Sequence, residues 1–525
     1  MELETFLHLL HFDTEKVFPP DWEVDWEDAP LPYKLYRRLP EIPLSAEVPL
    51  TLQKREDDRN PSLDELGHFL WYVYGLTQFA QSPIIDETGK NVSFTPSLRR
   101  FVPSGGALYP NEVYVYVKLD DVPEGIYHYD VAHHQLILLR EGNYDHYLSR
   151  SLDNGVPLSD CFCTVFVSTL FWKNFYKYNN FSYRLQGLDA GVIIGQTLGV
   201  ANQMGLSTKV CYQFLDRSLN HLLGLSEQEE SVYAVIPLST KPSMICVDNG
   251  KKRDQTMSAT ELCREVPVLN HTVYNRSKRV IDYPMLKKLN EASMFETTKS
   301  FAKLTNKNAE TPLGPEMVFL PVTESFSCDF AAACRKRYSP GIDFTLGNVS
   351  QTQISTLLKE TSSFLYQNDL DDTEGQIESR VSLYGSFYRV EGILDGAYAY
   401  DNRTHALRRI TKGDHREFLQ DGLTMPFVNM AQVPLCINVV GDRDHLKERL
   451  GVRGYRIQQM EAGILVQRLL LVASALGMNG HALLGFDANQ SDELFRSESK
   501  GKTGLIQIPV GPHHPRAWIK GGLHS

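Results

Sequence analysis

Apolar residues in this chain recur in two registers. From Val113 to Val117, Thr164 to Val167 and Leu435 to Val440 the runs are short, β-branched and aromatic, which predicts strands. The stretch Ser62-Leu-Asp-Glu-Leu-Gly-His-Phe-Leu-Trp-Tyr-Val73 has helical spacing instead, with Ser62 as N-cap and Glu65 completing a capping box. The longest helical signals carry Leu188, Val192, Gln196 and Val200 in one block and Met460, Ile464 and Leu471 in another. Both are apolar over much of their circumference, as buried or interfacial helices are. Alternation of strand-like and helical runs argues for α+β or α/β layering, and α+β is the class expected here. Residues 1–50 follow neither register: Pro19, Pro20, Pro40 and Pro43 predict an extended arm laid over a domain surface, pinned by Trp22 and Trp26.

The pattern also repeats. Ser182-Tyr-Arg-Leu-Gln-Gly-Leu-Asp-Ala-Gly191 aligns with Gly454-Tyr-Arg-Ile-Gln-Gln-Met-Glu-Ala-Gly463, 272 positions later. Gly125-Ile-Tyr-His-Tyr-Asp130 with His134 aligns with Gly396-Ala-Tyr-Ala-Tyr-Asp401 with His405, at a shift of 271. Two blocks at nearly one shift predict a tandem duplication. The expected division is an arm at 1–50, a first domain at 51–245, a polar connector at 246–319 containing Lys251-Lys-Arg253, and a second domain at 320–525.

Composition narrows the partners. A formal charge of −11 argues against a general nucleic-acid partner or an anionic membrane surface. Acidic residues where a secretory signal would be basic, and the lack of a spanning apolar run, lead us to expect a soluble, cytoplasmic protein. The eight cysteines form no Cys-x-x-Cys pair. Cys161 and Cys163 are expected on one face of a strand as reduced thiols, and the His133-His134 and His513-His514 pairs lack the spacing of a metal site.

Candidate chemistry gathers around Pro103-Ser-Gly-Gly-Ala-Leu-Tyr-Pro110, where small residues let backbone N–H groups and a hydroxyl approach a ligand. With the strand that follows it and the later Gly-x-Tyr-x-Tyr-Asp, this stretch resembles the flavin-dependent nitroreductase superfamily. More narrowly, it is similar to the thiazole/oxazole (azoline) dehydrogenase branch. That resemblance implies tandem nitroreductase-like domains forming an intramolecular pseudodimer, with flavin bound between the halves. It also implies that each half supplies different parts of the site.

Arg335-Lys-Arg-Tyr-Ser339 resembles the phosphate motif of the family, whereas Glu47-Val-Pro-Leu-Thr51 at the corresponding place holds no cation. The first copy keeps Ser104-Gly105-Gly106; its best second-copy match is Ser379-Arg380-Val381. Gly485-Phe-Asp487 resembles the turn that meets the flavin ring, and Gln213-Phe-Leu-Asp216 has lost its glycine. Pro515-Arg516 matches the last phosphate cation, where the first copy ends in Pro237-Leu-Ser-Thr-Lys241. Complementary losses imply one FMN per chain, held by Ser104 and Gly105 from one half and Arg335, Arg337, Ser339, Gly485 and Arg516 from the other.

Lys177-Tyr178 looks like the Lys-Tyr pair of azoline dehydrogenases, and Arg449-Leu450 stands at its second-copy position. Aromatising a thiazoline or oxazoline removes a proton from one ring carbon and passes a hydride from the other to flavin, so a base is needed. A lysine desolvated beside an apolar ring can serve, with Tyr178 positioning substrate or relaying the proton. The expected activity is FMN-dependent oxidation of azolines to azoles in a modified peptide, with dioxygen reoxidising the flavin. The expected partners are a peptide or small-molecule substrate, other biosynthetic enzymes, and further self-association. Two alternatives stand beside it. One is another FMN enzyme of this fold, an NAD(P)H-dependent nitro or quinone reductase or an oxidase of another peptide side chain. The other is a flavin-free binding partner in a biosynthetic complex.

Overall fold

The computed structural model describes residues 1–55, 59–85, 92–241, 256–304, 316–323, 326–371, 379–515 and 519–522. Two seven-stranded antiparallel sheets dominate it. In spatial order the first runs Glu41–Pro43, Gln135–Glu141, Gly125–Asp130, Asn111–Val117, Cys163–Leu170, Glu230–Ser239 and Ser207–Thr208. The second runs Met317–Phe319, Ala406–Lys412, Gly396–Asp401, Ser382–Phe387, Leu435–Asp442, Lys502–Gly511 and Asn479–Gly480. Strand for strand the two orders are the same, and each connects its members in the same chain sequence. The fold is α+β, built as two layers of one sheet order related as an internal pseudodimer.

Each half opens on a capped helix, Leu63–Tyr74 behind Ser62 and Gln351–Ser362 behind Ser350, both with complete capping boxes. Between the sheets run the two longest helices, Ser182–Gln203 and Val452–Ala475, buried along nearly their whole length. The repeat explains how closely they cross. A Cβ on Gly191 would stand 2.0 Å from the Met460 carbonyl oxygen, and one on Gly463 would stand 2.3 Å from that of Leu188. Only glycine allows backbone-to-backbone contact at this point, so the aligned Ala-Gly pairs of the two blocks mark the axis of the pseudodimer. Buried Gln467 donates to Gln196 across it at 2.7 Å.

The chain ends are woven into this frame. Ile519–Gly522 pairs with Gln78–Ile85, which pairs with Val92–Arg99, so the last strand of the described chain completes a small sheet on the first half. At the other end the structure departs from the extended arm expected for residues 1–50. Leu3–Phe12 is a helix, because Phe6, Leu7 and Leu10 fall on one face and enter the main core. Trp22 packs half-buried, edge-on to Phe175, but Trp26 is 58% exposed and does little to pin the segment. Polar contacts do that work instead, as with Lys34 buried against Glu230 and Tyr114. Cys161 and Cys163 also differ from expectation: Cys161 precedes the strand, and the two thiols enter different apolar clusters. Among the described residues no helix is long and apolar enough to cross a membrane.

Candidate functional site

The buried strand Asn111–Val117 fixes the end of the small-residue loop. Ser104 Oγ donates to Asp189 Oδ2 at 2.5 Å and accepts from the Tyr109 N–H at 2.9 Å, while the Gly105 N–H donates to Asp189 Oδ1 at 3.3 Å. Ser104 and Gly105, the residues expected from sequence to meet the cofactor, hydrogen-bond Asp189 of the central helix. Burial pushes the Asp189 carboxyl up to about 7. The glycine facing the Lys-Tyr pair is the next one. Gly106 has φ +64°, and a Cβ there would lie 2.6 Å from Tyr178 OH and 2.9 Å from Lys177 Nζ.

Lys177 and Tyr178 close the short helix Trp172–Tyr178, which stops where Asn179 takes φ 45°. Lys173, one turn earlier, anchors the helix by donating to Glu112 and, at 2.9 Å, to the Tyr109 carbonyl of the glycine loop. Lys177 Nζ has no hydrogen-bond or ion-pair acceptor among the described residues; it lies 5.3 Å from the Trp26 ring centroid and 4.9 Å from that of Tyr178. Burial lowers its pKa from the usual lysine range. The Tyr178 hydroxyl is likewise without a partner among the described residues, and burial, then the Asp189 charge, raises its pKa.

A cleft of about 600 Å³ opens beside this loop, lined from one half by Arg99, Arg100 and Phe101 and from the other by Arg335, Arg337 and Asn479. Arg335 leaves the helix Phe330–Lys336 and reaches the Leu50 carbonyl and, at 3.4 Å, Tyr72 OH. Arg337 is buried, donates to the Phe101 carbonyl at 2.7 Å and to Ser339 Oγ at 3.4 Å, and is drawn down to about 10 by burial and then by the Arg99 charge. Arg516 lies outside the described residues, next to cleft-lining Pro515. Gly485 sits on another edge: its carbonyl accepts from the Thr424 N–H, no hydrogen bond leaves its own N–H among the described residues, and its neighbour Phe486 lies 5.7 Å from the Arg184 guanidinium. Leu185, beside Arg184, packs against Gly105. Sequence reasoning noted Gly106 only as part of the glycine pair and named neither Arg99 nor Arg100, which line the cleft. Arg100 stacks on Tyr74 and Tyr109 at 3.8 and 4.3 Å, and its Nε and Nη1 are buried without partners among the described residues.

The equivalent place in the other half is filled. Arg380, at the position of Gly105, pairs with both Glu461 and Asp371, and Glu461 stands at the position of Asp189. Asp369 accepts the N–H groups of Tyr212 and Gln213 at 2.9 and 2.8 Å. Gln213, the counterpart of Gly485, thus has its backbone donor occupied. A void of about 30 Å³ remains there, lined by Tyr366, Arg380 and Glu461.

The nitroreductase family profile matches residues 56–238. A candidate nitroreductase of Methanocaldococcus jannaschii is 25% identical over 167 residues, which span 32% of this chain and 76% of that one. The trifolitoxin-processing protein TfxB of Rhizobium leguminosarum bv. trifolii is 29% identical over 140 residues, 26% of this chain and 38% of its own length. The crystal structure of a candidate nitroreductase from Anabaena variabilis superposes with a TM-score of 0.73 at 20% identity, over 98% of this chain and 99% of that one. The chain is an oxidoreductase of nitroreductase fold, with a nitroreductase-family domain at residues 56–238.

Proposed function

We propose that the chain binds one FMN between its halves and oxidises azoline rings of a modified peptide to azoles. The observation that carries this reading is the convergence of Lys177 Nζ and Tyr178 OH, both without partners among the described residues, on Gly106, in the loop whose Tyr109 stacks on Arg100 of the cationic cleft. An amine with no acceptor, held half-buried among aromatic rings, is suited to take a proton from carbon. The resemblance to a trifolitoxin-processing protein agrees with a role in maturing a natural product.

The cleft residues fit the cofactor. Arg335 and Arg337, with Arg99 from the opposite half, would hold its phosphate, for which guanidinium groups are suited; the Gly485 N–H, which makes no hydrogen bond among the described residues, would be a further donor for it. Bound FMN would take the two electrons that leave the azoline as hydride and pass them to dioxygen. The protein's own part is to place the ring over Gly106, where a side chain would collide with Lys177 and Tyr178, and to let Lys177 take the ring proton.

Incubation of the FMN-loaded protein in air with a synthetic peptide carrying one thiazoline tests this. The expected result is loss of two hydrogens per ring by mass spectrometry, slowed about 10²- to 10⁴-fold in Lys177→Ala with FMN still bound. Rapid bleaching of the flavin by NAD(P)H with no azoline oxidation would reject the reading.

A further inference from the structure

Trp26 is the feature that the fold leaves unexplained. It lies outside residues 56–238, in the N-terminal segment, and keeps 58% of its surface exposed although other residues hold that segment down. A single exposed apolar side chain is ordinary on a protein surface; this one differs in where it is held and how firmly.

The turn that carries it is fixed on both sides. Asp25 Oδ1 accepts the N–H groups of Glu27 and Asp28, each at 3.1 Å. The Asp28 carboxylate then accepts the N–H groups of Lys278 and Arg279 at 2.7 and 2.9 Å, and Ser277 Oγ donates to the Asp28 carbonyl at 2.7 Å. Ser277 Oγ also accepts from Trp172 Nε1 at 3.0 Å. Trp172 begins the helix that ends in Lys177 and Tyr178. The indole and the lysine are thereby tied to one support, with the Trp26 centroid 5.3 Å from Lys177 Nζ and the ring edge-on to Tyr176 at 6.1 Å and 90°.

We propose that Trp26 is a substrate-binding residue, whose indole stacks against the planar heterocycle of the peptide and holds it above Lys177. The inference rests on the azoline reading and adds to it a recognition element from outside the family domain. A rigid indole suits this task because aromatic stacking selects flat rings and costs little conformational entropy in a side chain already held. An azoline gains planarity as it becomes an azole, so the platform favours the product-like ring.

The test uses the FMN-loaded protein and a peptide bearing one thiazole, with binding followed by the absorbance of the bound flavin. Trp26→Ala is expected to weaken binding about tenfold and Trp26→Phe to stay within about threefold of the parent, with flavin content and Tm unchanged. The same peptide with alanine in place of the thiazole is expected to lose the difference between parent and Trp26→Ala. Equal affinity of parent and Trp26→Ala for the thiazole peptide overturns the stacking role and leaves the azoline reading standing. Failure of the parent protein to bind the thiazole peptide overturns that reading and this inference with it.

Discussion

The two halves share a sheet order and a central helix, yet the residues packed around the two helices differ in charge and size. Around Asp189 the loop is glycine, and at Gly485, on another edge, the N–H makes no hydrogen bond among the described residues. Around Glu461 the loop residue is Arg380, and the N–H groups at Tyr212 and Gln213 are given to Asp369. Arg99, Arg100, Arg335 and Arg337 line a cleft of about 600 Å³, whereas the void beside Arg380 and Glu461 measures about 30 Å³. The difference lies in charge bookkeeping: a buried acid with no cation leaves room for a ligand, whereas one paired with arginine completes a packed core.

The largest expected effect falls on the open side. Lys177→Ala should lower azoline turnover about 10²- to 10⁴-fold, the range for a general base, with FMN content unchanged; steady-state rates and released flavin check it. On the closed side, Arg380→Ala should cost about 3–5 kcal/mol of stability, because Glu461 and Asp371 lose their buried partner. Denaturant unfolding measures this, and no second flavin should appear. Gly106→Ala should cost about 1–3 kcal/mol of strain at a positive φ and lower turnover up to about a hundredfold by displacing Tyr178 and Lys177. Gly105→Ala meets only the flexible end of Leu185 and should cost less.

The smallest effect sharpens the comparison by pH. The Asp189 carboxyl sits at about 7 in the folded chain against 3.8 when unfolded, so the folded state holds this proton more tightly. Its contribution is intact at low pH and declines as pH rises from about 4 to about 7. Asp189→Asn removes that decline, so the Tm difference, variant minus parent, should grow by a few degrees between pH 4 and pH 8.

Much of this was legible in the chain. Blocks 272 positions apart located the two central helices. The plug at the closed side was written there too: Arg380 aligns with Gly105 and Glu461 with Asp189, an opposite-charge pair spanning two aligned blocks. What could not be read were contacts set by tertiary packing. Arg99 and Arg100 belong to no motif, and only the strand Val92–Arg99 carries them to the cleft. Trp26 looked like an anchor because exposure is decided by the Asp28 and Ser277 contacts, which join residues some 250 positions apart. Gly106 was passed over for Gly105 because local sequence does not say which glycine takes the positive φ.

The central claim is that one composite site per chain is open and its counterpart is closed. Counting FMN released by denaturation from the reconstituted, purified protein tests it most directly. One FMN per chain is the result this account predicts; two per chain, or none, would contradict it.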